Sequence, residues 1–99
     1  MKVAWTDTAR HSLRTIHDYI AQSSPAYAKR MVDRLTGRSK QIGVFPLSGR
    51  VVPEFAVGQI REVFQRPYRI IYHIRPDHID VIGVLHMSRK IRSSPLVHK

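Results

Sequence analysis

Apolar residues recur at helical spacing in the first half of the chain. They lie four, three and four positions apart at Ala9, Leu13, Ile16 and Ile20. This period predicts an amphipathic helix over about residues 7–22, because residues at such spacing share one helical face. Thr6 precedes the helix and offers a capping hydroxyl. Asp7 places a negative charge in the first turn, where it meets the helix dipole favourably.

A second helix is predicted directly after the first. Ser24 is a suitable cap, and Pro25 suits the first helical position. The apolar stripe then continues to about residue 43 through Ala28, Met31, Val32, Leu35 and Ile42. Because only a short turn separates the two helices, we expect them to form an antiparallel hairpin.

From Val51 onward the pattern is typical of strands. Three runs are rich in β-branched and aromatic residues, at Gln59–Phe64, Arg69–Arg75 and His78–Leu85. Residues 2–5 predict a short first strand, and Pro53 limits residues 51–55 to an edge strand or extended loop. The sequence therefore predicts an α+β fold with an N-terminal strand. Its helical hairpin packs on one side of a three- to four-stranded antiparallel β-sheet.

Size and composition limit the class of protein. The 99 residues predict a single domain over residues 1–99, with a flexible basic tail at about 90–99. No stretch approaches the roughly 18 apolar residues of a membrane span, and the start lacks the apolar run of a signal peptide. The chain has no cysteine, which excludes disulfides and thiolate sites. We therefore expect a cytoplasmic protein with no membrane partner.

Charge is the strongest compositional signal. Seventeen Lys and Arg face seven Asp and Glu, which gives a formal net charge of +10. The excess is spread over both halves, so no separate basic tail accounts for it. Such a chain should bind a polyanion, either nucleic acid or a strongly acidic protein. Three of the cations, Arg30, Arg34 and Arg38, lie four apart on the second helix. They form either a solvated face or a docking surface.

Alternation assigns the two faces of the strand at Arg69–Arg75. Ile70, Tyr72 and Ile74 share the face that fits the core. The other face carries Arg69, Ile71, His73 and Arg75 and is therefore mixed. In the last strand both faces contain apolar residues, so parity alone leaves the direction of His86 open.

One set of residues around the predicted sheet has the types that RNA cleavage requires. Attack by a 2′-hydroxyl needs a base, an acid and a cation near the phosphate. Glu54, Arg69 and His86 could serve as base, phosphate clamp and acid. A structural interpretation competes, in which Arg69 pairs with Glu54 or Asp80, and Arg61-Glu62 is surface charge. Spacing alone favours this second interpretation.

Cofactor chemistry has no support in the sequence. The six histidines show no zinc-site spacing, and the glycines are too scattered for a phosphate loop. We therefore expect neither a metal nor a cofactor.

The order of several short segments resembles a known family. The segments are WTDTA, LRTIHDYI, SSPAYA, FPLSGRVVPEF, IREVF, YRIIYHI and VLHMSR. Together they resemble the ParE branch of the RelE/ParE toxin superfamily over about residues 3–92. The resemblance implies a toxin of a bacterial type II toxin–antitoxin pair with the RelE/ParE fold. It also implies an acidic antitoxin, encoded beside the toxin, in a hetero-oligomeric complex. Arg30, Arg34 and Arg38 are the antitoxin-binding candidates.

The resemblance also implies a target. ParE-like toxins act on DNA gyrase, whereas RelE-like relatives cut mRNA on the ribosome. Ile60, Arg61 and Glu62 stand where the ribonuclease branch places lysines, and no tyrosine follows Tyr72. Met87 stands where some relatives carry a tyrosine. We therefore rank inhibition of gyrase first.

Two alternatives remain open at the level of sequence. Some cleaving relatives use a Glu, Arg and His set, which Glu54, Arg69 and His86 match in order. Ribosome-dependent cleavage is therefore second, and a non-toxic basic nucleic-acid-binding module is third. The candidates for binding the target or a phosphate are Arg61, Arg69, Arg75, Arg89 and Arg92.

Overall fold

The computed structural model describes residues 1–91, which form two α-helices, a short 3₁₀ helix and five strands. In chain order these are β1 (Lys2–Trp5), α1 (Asp7–Ala21), α2 (Pro25–Val44), the 3₁₀ helix (Pro46–Ser48), β2 (Arg50–Val51), β3 (Ile60–Gln65), β4 (Tyr68–Ile74) and β5 (His78–His86).

Both helices begin at the predicted caps. The Thr6 hydroxyl accepts a hydrogen bond from the Ala9 N–H at 3.2 Å, and the Ser24 hydroxyl accepts one from the Tyr27 N–H at 3.1 Å. Each bond satisfies a backbone donor that has no partner within the helix. Within residues 1–91, neither helix combines the length and apolar character needed to cross a bilayer.

The strands form one mixed sheet in the order β1-β5-β4-β3-β2. Strands β2 to β5 are antiparallel neighbours and correspond to the predicted sheet. Strand β1 joins at the edge and runs parallel to β5, with Val3 opposite Ile79. A parallel pair needs a long connection, which the helical hairpin and the meander provide. The predicted α+β fold is confirmed, and its sheet gains one parallel strand.

The main core lies between the helices and one face of the sheet. Its fully buried members include Met31, Leu35, Ile42, Ile70, Tyr72, Ile79 and Val81. Ile70 and Tyr72 occupy the face that alternation predicted. Trp5 packs against this cluster and donates its indole N–H to the buried Ser39 hydroxyl at 3.2 Å.

The opposite side of the sheet, here called the outer face, is not an open surface throughout. A second cluster of buried residues covers part of it: Val52, Ile60, Ile71, Ile82 and Ile91. A β-bulge between β4 and β5 shifts the register beside Ile71. Val81 and Val84 therefore both pack on the helix side, while Ile82 faces outward. The bulge explains why simple alternation could not orient the end of β5.

The C-terminal segment begins on this outer face. Ile91, which lies within the predicted basic tail, is packed in the second cluster. The rest of that predicted tail, residues 92–99, lies outside the described residues, and so does the candidate Arg92.

Candidate functional site

Arg69 is the centre of an ion-pair network on the outer face of the sheet. Its side chain is buried, and its Nε donates to a Glu62 carboxylate oxygen at 2.7 Å. Its Nη1 and Nη2 donate to the two oxygens of Glu54 at 3.0 and 2.9 Å. The Glu62 side chain is 0% exposed and that of Glu54 is 19% exposed. Two carboxylates therefore share one largely desolvated guanidinium.

The network connects four parts of the chain. Arg50, beside β3, donates its Nε to the second oxygen of Glu62 at 2.6 Å, and its guanidinium lies 5.2 Å from the Phe64 ring centroid. Arg69 also donates to the Arg89 carbonyl at 3.1 Å. The Ile91 N–H donates to Glu54 at 3.0 Å. The network thus joins β2, β3, β4 and the C-terminal segment.

Protonation follows from these contacts. The hydrogen bonds from Arg69 hold the pKa of Glu54 at about 2, with the Ile91 N–H acting in the same direction against the effect of burial. The same hydrogen bonds, which Arg69 donates to Glu54, raise the pKa of Arg69, and the charge of Glu62 acts in the same direction. Four of the five N–H groups of Arg69 have acceptors. Glu54 is therefore a weak base near neutral pH, and Arg69 has little left to offer a phosphate.

His86 lies on the other side of the sheet. Its backbone pairs with Tyr68, whereas Arg69 pairs with Leu85. Successive cross-strand pairs point to opposite faces, so His86 and Arg69 face apart. The exposed His86 ring meets the Tyr68 ring edge-on at 5.8 Å, and its Nδ1 lies 2.8 Å from the Ser88 hydroxyl. The structure thus brings Arg69 and Glu54 together, as in the structural interpretation, and places His86 on the opposite face.

His86 instead lines a groove of about 700 Å³ between α1 and the end of β5. We call this the α1 groove; its lining includes His11, Tyr19, Tyr68, His86, Ser88 and Arg89. None of its lining residues carries a carboxylate. Burial raises the pKa of Tyr68, which keeps its phenol neutral. The groove offers hydroxyl, imidazole and guanidinium groups, so it favours polar or anionic groups with an aromatic or apolar side.

The remaining target candidates do not form one surface. Arg61 donates to the carbonyls of Gly49 and Gly58 at 2.9 and 3.0 Å, which fixes the loop before β3. Arg75 pairs with Asp80 at 3.2 Å near the β4–β5 turn. Arg89 lines the α1 groove. Each candidate therefore lies in a different environment.

The arginine stripe of α2, like Arg61 and Arg89, has no counter-ion among residues 1–91, but its three cations lie in one row. Of the seven Asp and Glu side chains, five pair with other Lys or Arg residues, and Asp18 and Asp77 contact histidines. Among residues 1–91, Arg30, Arg34 and Arg38 have no carboxylate within 4.0 Å. Arg30 and Arg34 are exposed and Arg38 is half-buried. Part of the positive charge that has no counter-ion within residues 1–91 therefore lies on α2.

Sequence reasoning missed the buried role of Glu62. It was interpreted as surface charge beside Arg61, yet Glu62 is fully buried on the outer face. The signal that pointed toward this role was the apolar character of both faces in the neighbouring strands, which indicates a sheet covered on both sides.

Fold and surface together define a small basic α+β domain in which a helical hairpin covers one face of a five-stranded sheet. Residues 3–91 match the family model described as the ParE toxin of the type II toxin–antitoxin system parDE. The chain belongs to this ParE toxin family and is a toxin of a type II toxin–antitoxin system. The resemblance noted in the sequence is confirmed.

One sequence relative and one solved structure are similar to this chain. Toxin RelE2 of Caulobacter vibrioides is 34% identical over 89 residues, which cover 89% of this chain and 97% of that protein. A solved structure described as a chromosomal ParDE TA system from P. aeruginosa is 21% identical, with a TM-score of 0.73. The match covers 87% of this chain and 95% of that one, and it supports the fold.

Proposed function

We propose that this toxin acts in the cytoplasm by binding DNA gyrase, and that an acidic cognate antitoxin neutralises it. In this mode the toxin breaks no bond itself. The observation that supports it is the position of Arg69, which is committed to Glu54 and Glu62 and faces away from His86. Glu54 and Arg69 are therefore not brought together with His86, the third member of the set that cleavage could use.

The chemistry of Glu54 supports the same conclusion. A general base works best when its pKa lies near the operating pH. With a pKa of about 2, Glu54 accepts protons poorly at neutral pH. A developing phosphate charge also needs free donors, and those of Arg69 are occupied. Inhibition of gyrase by binding alone requires neither a general base nor a free phosphate-binding donor.

The antitoxin part of the proposal rests on charge. The chain carries a net charge of +10, and its arginine stripe on α2 has no internal counter-ion among residues 1–91. Complementary charge accelerates encounter between proteins, and apolar contacts then supply affinity. The similar P. aeruginosa structure is described as a ParDE toxin–antitoxin system. We propose a hetero-oligomeric complex of the same kind here.

A second candidate is ribosome-dependent cleavage of mRNA. The curated relative is named RelE2. In addition, the α1 groove brings His11, His86 and Arg89 to one concave surface. Cleavage by this route would have to use the groove and not Glu54 or Arg69.

Expression of the toxin without its antitoxin in a bacterial host separates the targets. We expect loss of negative supercoiling in a reporter plasmid before protein synthesis falls. Purified toxin should inhibit supercoiling by purified gyrase in a gel assay. An immediate stop in amino-acid incorporation with normal supercoiling would support the ribosome instead. Unchanged growth would support a plain nucleic-acid-binding module.

His86→Ala is the sharpest variant for the cleavage alternative, because this exposed side chain can be removed without disturbing the core. If His86 were a general acid, its loss should reduce cleavage by on the order of a hundredfold or more. We expect growth arrest to be retained. Ser12→Ala, also in the α1 groove, is the matched control. Glu54→Gln is less suitable, because it also removes a structural ion pair.

A further inference from the structure

Three parts of the chain line the α1 groove. On α1, His11, Thr15 and Tyr19 lie four residues apart and therefore share one side of the helix. The start of β4, paired with the end of β5, forms the facing side. The segment that follows β5 supplies the third part. The groove volume of about 700 Å³ is typical of a site for a small molecule.

The segment after β5 is held in place by backbone hydrogen bonds. The Met87 N–H donates to the Pro67 carbonyl at 2.8 Å. The Arg89 N–H donates to the His86 carbonyl at 2.9 Å. From the outer face of the sheet, the buried Arg69 donates to the Arg89 carbonyl at 3.1 Å. The backbone of Arg89 is thus fixed on both sides, while its side chain lines the groove.

His86 presents one ring N–H that the chain leaves free. The Ser88 backbone N–H donates to its Nδ1 at 3.1 Å. Because this bond requires an unprotonated Nδ1, the neutral ring carries its hydrogen on Nε2. Among residues 1–91 this Nε2 has no hydrogen-bond partner. The edge-on contact with the Tyr68 ring at 5.8 Å also orients the imidazole. His86 therefore offers an oriented hydrogen-bond donor to a ligand.

The charges that line the groove favour a single anionic group. Arg89 is the one Lys or Arg among the described lining residues, and none of them carries a carboxylate. Within residues 1–91 no carboxylate lies within 4.0 Å of the Arg89 guanidinium. A guanidinium can donate two parallel N–H bonds to one phosphate. A nucleic-acid strand would need several cations along its backbone, and Arg61 and Arg75 lie elsewhere.

The aromatic side chains give the groove a surface for a flat ring. Tyr19 is 72% exposed, whereas Tyr68 is largely buried. An exposed tyrosine ring can stack on a heterocyclic base, and such stacking tolerates any base because every base has a π-face. The groove therefore combines one phosphate-binding cation with one stacking surface.

We propose that the α1 groove binds a free nucleoside 5′-monophosphate. Its phosphate accepts hydrogen bonds from the Arg89 guanidinium and the His86 Nε2–H, and its base stacks on Tyr19. No bond of the nucleotide is broken. This inference goes beyond the proposed function, because it depends neither on gyrase nor on the antitoxin.

Other occupants satisfy only part of the groove. Inorganic phosphate would bind Arg89 but leave the Tyr19 ring in water. An apolar peptide would cover Tyr19 but remove the Arg89 charge from water without a counter-ion, which is unfavourable. A nucleotide carries a phosphate and a flat ring in one molecule, so it satisfies both residues.

Calorimetric titration of the full-length purified toxin tests the recognition directly. The probes are the 5′-monophosphates of adenosine, guanosine, cytidine and uridine. Inorganic phosphate and the four unphosphorylated nucleosides are the matched controls. We expect each control to bind at least about tenfold more weakly than the nucleotides, because each lacks one of the two contacts. Nucleotide binding should also weaken as salt is added.

Toxin variants locate the binding site. Arg89→Gln should weaken nucleotide binding about tenfold and remove most of its salt dependence. Tyr19→Ser should weaken it about fivefold or more and leave the salt dependence unchanged. Both side chains are exposed, so neither change disturbs the core. Arg34→Gln and Phe45→Ser remove an exposed cation and an exposed aromatic ring outside the groove, and both should bind the nucleotides as the native chain does.

Three results would overturn the inference. The first is unchanged nucleotide binding in both Arg89→Gln and Tyr19→Ser. The second is inorganic phosphate that binds as tightly as the nucleotides, since the groove would then select only an anion. The third is a 5′-phosphorylated single strand of about ten nucleotides that binds at least tenfold more tightly and loses this advantage in Arg89→Gln, since the occupant would then be a strand. None of these results bears on inhibition of gyrase, which is measured separately.

Discussion

Arg69 holds both carboxylate oxygens of Glu54 in a bidentate ion pair, at 2.9 and 3.0 Å. Its third nitrogen simultaneously reaches Glu62 at 2.7 Å. A planar guanidinium can satisfy two carboxylates in this way, whereas a lysine cannot. Because the three side chains are largely removed from water, the arrangement is sensitive to the loss of any one member.

Replacement of Arg69 should therefore be costly. Arg69→Gln leaves Glu62 buried with only Arg50 as a cationic partner, and we expect the free energy of unfolding to fall by about 3–5 kcal/mol. Arg75→Gln is the matched control, since its pair with Asp80 is half-exposed and should contribute at most about 1 kcal/mol. Urea denaturation of both variants measures the difference. Similar losses in the two variants would contradict a structural role for the network.

Stability should also depend on pH through Glu54. Its folded pKa of about 2 lies below the ordinary value of 4.5, so the folded state favours the charged carboxylate. The resulting stabilisation is fully present above about pH 4.5 and is lost as the pH falls toward 2. Glu54→Gln should be less stable than the native chain at neutral pH, and the difference should shrink as the pH is lowered. Thermal unfolding over this range tests it; a constant difference would exclude the ion pair as its cause.

Tyr72 should stabilise the loop between α2 and β2 through its hydroxyl. Tyr72→Phe keeps the ring in the core but leaves the Gly49 N–H without its acceptor. We expect a loss of about 1–3 kcal/mol, as for other buried groups that lose a hydrogen-bond partner. Tyr19→Phe, where the residue is 72% exposed, should change stability little. Chemical denaturation of the pair checks this, and equal effects would contradict it.

Two glycines should respond to the same substitution in opposite directions. A Cβ on Gly49 would lie 2.5 Å from both the Glu62 carbonyl oxygen and the Tyr72 hydroxyl, so Gly49→Ala should be destabilising. A Cβ on Gly37, within α2, would meet nothing within 4 Å. Gly37→Ala should stabilise by about 0.5–1 kcal/mol, because alanine favours the helix. Melting temperatures of the two variants should move apart. If both melting temperatures moved in the same direction, the close packing around Gly49 would not control the effect of Gly49→Ala on stability.

Local pattern predicted most of the fold. The spacing of Ala9, Leu13, Ile16 and Ile20, together with the Thr6 cap, located α1 within one residue at its C-terminal end. Alternation located β4 within one residue at each end. These signals are readable because helices and strands are repeats, in which each residue's exposure follows from its neighbours in the chain.

The candidate site was less predictable. The types of Glu54, Arg69 and His86 suggested a shared cleft, but residue type does not encode the face of a sheet. Arg69 and His86 belong to adjacent strands whose pairing places them one step out of phase. The bulge beside Ile71 then reverses which alternate residues of β5 face the helices, so one alternation does not hold along the whole strand.

The amino-acid sequence by itself determined the helices, the strands, the excess of positive charge and the family of this protein. Only the tertiary structure decided which charges are cancelled. Arg69 meets Glu54 and Glu62 across 15 and 7 residues of sequence, and those contacts exist only once β3, β4 and the loop after β2 are packed together. Arg30, Arg34 and Arg38 of α2 have no carboxylate within 4.0 Å among residues 1–91, and the neighbouring Asp33 pairs with Lys29 instead. Ion pairing depends on distances in space, and spacing along the chain does not supply them.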